Sequence, residues 1–319
     1  METKILLAFI IALTAGTTSG QSRPEKSDYA ISSNNDGAIR YKTVKVDQLD
    51  IFYREAGLTS QPTILFLHGF PSSSHMYRDI LVDLSSKYHV VAPDYPGFGL
   101  SSSPDVRNFQ YTFDNLSITM EHFIEALGLV DISLYVQDYG GPIGFRLAAR
   151  RPELIHALII QNANAHTEGL GDAIAPMKNY FNNPNEVTEK GAREILNTTK
   201  WQYMDGVADS SKINPDSYMM DQFYLDRPGN DQIQLALFRD YKSNLSRYQE
   251  WQSYFREKQP AALVIWGAND KIFIKPGAEA YRRDLKNIEV HIFDGGHFLL
   301  EEYHKEVARL IDSFFAKNK

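Results

Sequence analysis

The chain has 319 residues, 43% of them apolar and 12% aromatic, and a net charge of −7. This content argues against intrinsic disorder, and the negative balance excludes a nucleic-acid binder, which needs a basic face to neutralise phosphates. With no cysteine in the sequence, disulfides, thiolate nucleophiles and cysteine-ligated zinc or iron–sulfur centres are excluded as well.

In chain order, residues 1–20 read as a Sec-type signal peptide. Lys4 gives a short positive start, residues 5–13 form an apolar run, and residues 14–20 are small, suiting cleavage near Gly20. The run is too short to span a bilayer, which takes roughly 20 residues. A secreted or periplasmic protein is therefore expected, with no stable membrane insertion once the leader is gone. The competing reading is an uncleaved anchor. Lack of cysteine suits an oxidising compartment. Residues 21–39 are polar and read as a linker.

From residue 43 the chain alternates short β-like runs with helical stretches. Residues 43–46 and 51–56 suit a hairpin. The runs 63–67, 90–92, 132–136 and 158–161 are nearly continuous in apolar residues, as strands covered on both faces are. Helices are predicted over 75–86, 113–127 and 141–150, the last stopped by Arg150-Arg151-Pro152. Such alternation implies a parallel sheet with right-handed crossovers. Residues 165–258 then carry helical spacing without strands, as over 233–237 and 248–255. Strand character returns at 261–266 and 290–293, before a closing amphipathic helix over 301–315. The organisation expected is an α/β core (40–164 and 259–319) interrupted by a helical lid insert (165–258). Such an insert sits over the carboxyl edge of the sheet, where these folds do their chemistry.

The residues that carry chemistry follow strands directly. Asp138 stands at a strand–turn–helix junction, with Gly140 and Gly141 permitting the sharp turn of a nucleophile elbow. A serine there would suggest an esterase; an aspartate can instead attack an sp3 carbon and form an alkyl ester. Hydrolysis of that ester by water then needs a base, for which His297 is the candidate. It also needs an oxyanion hole, for which the backbone N–H groups of Phe70 and Tyr139 are the natural donors. Asp270 comes in the right order to orient the histidine: nucleophile, acid, histidine. Asp270 also suits a helix cap. His68 could be a base or a ligand, but suits support of the oxyanion loop better, and Asp94 suits organising its own turn. The remaining histidines lack metal-ligand spacing, so neither metal nor cofactor is expected.

With His68-Gly69-Phe70-Pro71, Asp94-Tyr95-Pro96-Gly97-Phe98-Gly99, Gln137-Asp138-Tyr139-Gly140-Gly141 and Gly295-Gly296-His297, the chain from about residue 40 onward resembles the α/β-hydrolase superfamily. Within it the resemblance is to the aspartate-nucleophile branch of epoxide hydrolases and haloalkane dehalogenases. Many dehalogenases place Asn where Phe70 stands and Trp where Tyr139 stands, each to hold the leaving halide. Most epoxide hydrolases carry that Trp as well, so the Tyr139 departure touches both branches but weakens the dehalogenase reading more; Trp201 and Trp251 of the insert are the candidates to substitute. Some dehalogenases carry their acid where Asn162 lies, which leaves Asp270 as the acid here. In epoxide hydrolases, lid tyrosines protonate the departing oxygen, and the resemblance assigns Tyr241 and, more loosely, Tyr180 to that role.

The expectation is an enzyme that opens an epoxide through an alkyl–Asp138 ester, with water as co-substrate and Phe70, Tyr139, Trp201 and Trp251 around a small apolar electrophile. Haloalkane dehalogenation by the same Asp138–His297–Asp270 chemistry is the alternative. A non-catalytic small-molecule receptor of the same fold is the alternative of another class, although a receptor has no need for all three residues.

Overall fold

Runs that are nearly continuous in apolar residues become strands buried on both faces. In the computed structural model, which describes residues 37–318, β3 (Thr63–Leu67), β4 (His89–Pro93) and β5 (Ile132–Gln137) expose no residue. The leader, and all of the linker up to residue 36, lie outside the described residues. The chain opens on an antiparallel hairpin of β1 (Arg40–Val46) and β2 (Leu49–Ala56). With β6 (Ile155–Gln161), β7 (Ala261–Gly267) and β8 (Ile288–Phe293), the eight strands run in the order β1-β2-β4-β3-β5-β6-β7-β8. Pairing is parallel from β4 to β8 and antiparallel for β1–β2 and β2–β4.

Strand alternation divides the core into two layers. From β5, Leu134 and Val136 pack with α2 (Phe113–Leu127) and α3 (Gly140–Arg150), whereas Tyr135 packs with α1 (Arg78–Leu84) and α10 (Leu300–Lys317). A short helix, α9 (Pro276–Ala280), lies between β7 and β8. The helix expected over 75–86 is shorter than its pattern, because residues 74–77 form a 3-10 turn ahead of α1.

Between β6 and β7 the chain forms a cap of α4 (Ala175–Asn182), α5 (Glu186–Ile195), α6 (Thr199–Met204), α7 (Pro215–Leu225) and α8 (Asn230–Lys258). The two separate stretches read at 233–237 and 248–255 are one continuous 29-residue helix. Two of the polar residues between them, Ser243 and Asn244, meet a buried cation. Arg146 of α3, its side chain wholly buried, donates to Asn244 Oδ1 at 2.6 Å, Ser243 Oγ at 2.9 Å and Asp114 Oδ1 at 2.7 Å. With the Pro142 carbonyl at 3.1 Å as a fourth acceptor, this guanidinium is buried with its hydrogen bonds made and ties cap to core.

Candidate active site

The sheet delivers its polar residues to one edge. Asp138 follows β5 with φ of +47°, a conformation L-residues rarely adopt, and it is 5% exposed. The turn is tight enough that a Cβ at position 140 would fall 1.9 Å from the Leu67 carbonyl oxygen, so Gly140 is a steric necessity. From the loop after β3, the Phe70 N–H donates to Asp138 Oδ1 at 2.7 Å. Burial raises the Asp138 carboxyl to about 6, against the lowering pull of His297 and the backbone N–H groups of Phe70 and Tyr139. Both expected oxyanion donors thus reach this carboxylate.

The other oxygen, Oδ2, faces His297 Nε2 at 4.0 Å, while His297 Nδ1 lies 2.8 Å from Asp270 Oδ2. A carboxylate only accepts, so Nδ1 carries the hydrogen. Asp270 orients the histidine but caps no helix, because residues 271–275 are not helical and α9 begins only at Pro276 with Lys275 as its N-cap. Oδ1 accepts from the N–H groups of Ile272 and Phe273, and Oδ2 holds the imidazole. Asn162, just after β6, completes the support: its amide donates to Asp270 Oδ2 at 2.7 Å, and its oxygen accepts the Gly267 N–H. The sequence marks this asparagine only as a place where an acid is missing. Its φ of +39°, like that of Asp138, sets it at a strand end turned towards the site.

His68 braces the oxyanion loop. Its Nδ1 bonds the Gly69 carbonyl, its Nε2 accepts the Tyr95 N–H, and the ring stacks on Tyr95 at 4.0 Å. Full burial lowers its pKa to about 3, which fixes a neutral ring. Asp94 accepts the N–H groups of Ser74 and Leu100 and so organises its own turn. Among the described residues, no group of three or more His, Asp or Glu could hold a metal ion.

Above Asp138 lies a cavity of about 570 Å³, walled mainly by apolar side chains such as Ile174, Met177, Phe238, Ile272 and Phe273. Phe70, Tyr139, Tyr241 and Trp201 line it too. Tyr241 is 2% exposed, and burial holds its hydroxyl well above the usual range, so it keeps its proton. Trp201 is 39% exposed, at the rim. Two expected residues are elsewhere. Tyr180 lines a separate groove with Leu235, Ala236 and Arg239, because it is turned by about 100° from Phe181, whose ring stacks with Tyr241. Trp251 shares a helix stripe with Tyr241 but sits ten residues further on, about 15 Å along the axis. There it is core, fully buried against Phe145 and Tyr248 and beneath the Arg146 guanidinium. Neither contributes to the cavity wall.

Residues 62–303 match the family model for the alpha/beta hydrolase fold. The chain belongs to that family. This hydrolase is 40% identical over 286 residues to the uncharacterized hydrolase YNR064C of Saccharomyces cerevisiae, covering 88% of this chain and 98% of that protein. It is 27% identical over 285 residues to a haloalkane dehalogenase of Psychrobacter cryohalolentis, covering 85% and 89% of the two chains. Among solved structures, a DBJA mutant superposes with a TM-score of 0.77 at 24% identity, over 88% of this hydrolase and 99% of that chain. The haloalkane dehalogenase DatA of Agrobacterium tumefaciens superposes with a TM-score of 0.74 at 22% identity, over 88% and 97%. At these identities the superpositions speak for the fold.

Proposed function

We propose that the protein opens epoxides of apolar molecules through a covalent alkyl ester on Asp138. The observation that carries this reading is the division of labour at the carboxylate: Oδ1 is held by the Phe70 N–H, while Oδ2 faces His297 Nε2. Oδ2 attacks an epoxide carbon, the C–O bond breaks, and the Tyr241 hydroxyl gives its proton to the departing oxygen. His297 Nε2 then takes a proton from water, and the hydroxide attacks the ester carbon. Negative charge gathers on Oδ1, where the N–H groups of Phe70 and Tyr139 stabilise it. On collapse, the diol leaves with Oδ2 and takes the imidazolium proton, and the proton that water left on the Asp138 carboxyl returns to the Tyr241 phenolate, restoring the resting site. Asp270 holds the imidazolium throughout.

Halide release by the same machinery is the second reading, favoured by the similarity to haloalkane dehalogenases. Against it stands the side chain at Phe70, which has no hydrogen to offer a halide, whereas Tyr241 offers one to an oxygen. The deciding experiment is the intact mass of His297→Ala after exposure to a panel of epoxides and haloalkanes. Without the base the ester forms and persists. A gain of one whole epoxide, absent in Asp138→Asn, is the expected result. A gain of a haloalkane less HX would make the protein a dehalogenase, and no adduct from either class would support a non-catalytic receptor.

A further inference from the structure

Gln137, the last residue of β5, has no solvent exposure, and its carboxamide nitrogen lies 2.9 Å from His297 Nε2. That nitrogen is the one the proposed reaction uses as a base, so it must hold a lone pair. His297 stands between Asp270, 2.8 Å from Nδ1, and Asp138, 4.0 Å from Nε2. Burial favours the neutral ring, but the two carboxylates outweigh it and draw the imidazole towards its cation. The other charges beside it, Lys271 and Asp205, pair with each other at 2.8 Å. A cation at this position cannot accept a proton, and it would pair with the nucleophile.

The orientation of the amide answers this. With Nδ1 committed to Asp270, a neutral ring presents an acceptor at Nε2, and an N–H is its proper partner. The far end of the amide agrees. A Cβ at Gly69 would lie 2.3 Å from Gln137 Oε1 and as close to Asp138 Cβ, so a glycine α-hydrogen faces both atoms. An oxygen receives such a C–H favourably; an NH2 group turned there would oppose hydrogen to hydrogen.

We propose that Gln137 is a positioning residue for the base: its N–H occupies the Nε2 lone pair of His297 in the free enzyme and keeps the ring unprotonated between the two carboxylates. Ester formation then removes the charge of Asp138, and with it one of the two pulls towards the cation, so the water takes over the lone pair when it is needed. The inference rests on His297 acting as the base, but its test needs no turnover.

The test follows the Nε2 resonance of His297 against pH by NMR, in protein labelled with 15N-histidine, the signal assigned by its loss in His297→Ala. In wild type, Nε2 is expected to be unprotonated at pH 7. Gln137→Met keeps length and removes the donor, and should move the protonation midpoint up by about one pH unit; Gln137→Glu should move it further. A midpoint that stays or falls in Gln137→Met overturns the proposal. So does a wild-type ring carrying a hydrogen on Nε2 at pH 7, a result that stands even where the variants fail to fold. Failure of every epoxide and haloalkane to form an ester would instead sink the functional reading and leave this titration untouched.

Discussion

The floor and the roof of the cavity are made differently. On the floor stands Asp138, with Asn162, Asp270 and His297 behind it. Each follows a strand, and backbone geometry aims them: two adopt positive φ, and Gly140 lets the elbow pass where a Cβ would fall 1.9 Å from the Leu67 carbonyl oxygen. On the roof, Met177, Trp201, Phe238 and Tyr241 reach the cavity from three helices whose rotation is set by how they seat on the core. A floor residue is therefore placed by its neighbours in sequence, and a roof residue by contacts distant in sequence.

The comparison predicts that floor substitutions abolish turnover while roof substitutions tune it. The largest effect belongs to Asp138→Asn, expected to lower steady-state turnover at least about 10⁴-fold with the fold intact by circular dichroism. Asp270→Asn should follow at roughly 10³- to 10⁴-fold, with ester accumulating, since an amide cannot stabilise the imidazolium. Accumulation is read by intact mass; an Asp270→Asn enzyme that releases product normally would remove Asp270 from the site.

On the roof, Tyr241→Phe should slow epoxide opening about 10²-fold in pre-steady-state measurements, while Tyr180→Phe leaves it unchanged. Equal losses in both would mean that the groove beside Arg239 opens to the cavity. The smallest effect is a pH limb. Burial raises Asp138 to about 6, and only its ionised form attacks. As pH falls through about 6 the carboxylate gains a proton, so kcat/KM for ester formation should drop tenfold per unit below that and level off above it. A limb near 4 would mean that the N–H donors and His297 outweigh burial.

The same contrast explains what the sequence makes legible. Strand-end motifs carry their own geometry, so His68-Gly69-Phe70, Gln137-Asp138-Tyr139 and Gly295-Gly296-His297 point to a single edge without knowledge of the packing. The cap offers only helical periodicity and many aromatics. Tyr241 and Trp251 fall on one stripe of α8, and nothing in that pattern says that the cavity underlies the first and the core the second. Polar groups that act through others are hidden as well. The sequence marks Asn162 only as a place where an acid is missing and Gln137 only as part of the elbow motif; that they serve Asp270 and His297 is visible only in the structure. Arg146 likewise meets Ser243 and Asn244 in a polar stretch of α8 that counting apolar positions divides in two.

The central claim is that an Asp138 oxygen bonds to substrate carbon. Its most direct test is a single turnover in H2-18O with enzyme in excess over an epoxide taken from the panel. The account predicts that the diol carries unlabelled oxygen from Asp138 and that the label appears in the peptide containing Asp138. Label in the diol and none in that peptide would mean that water attacks the substrate directly, and would contradict it.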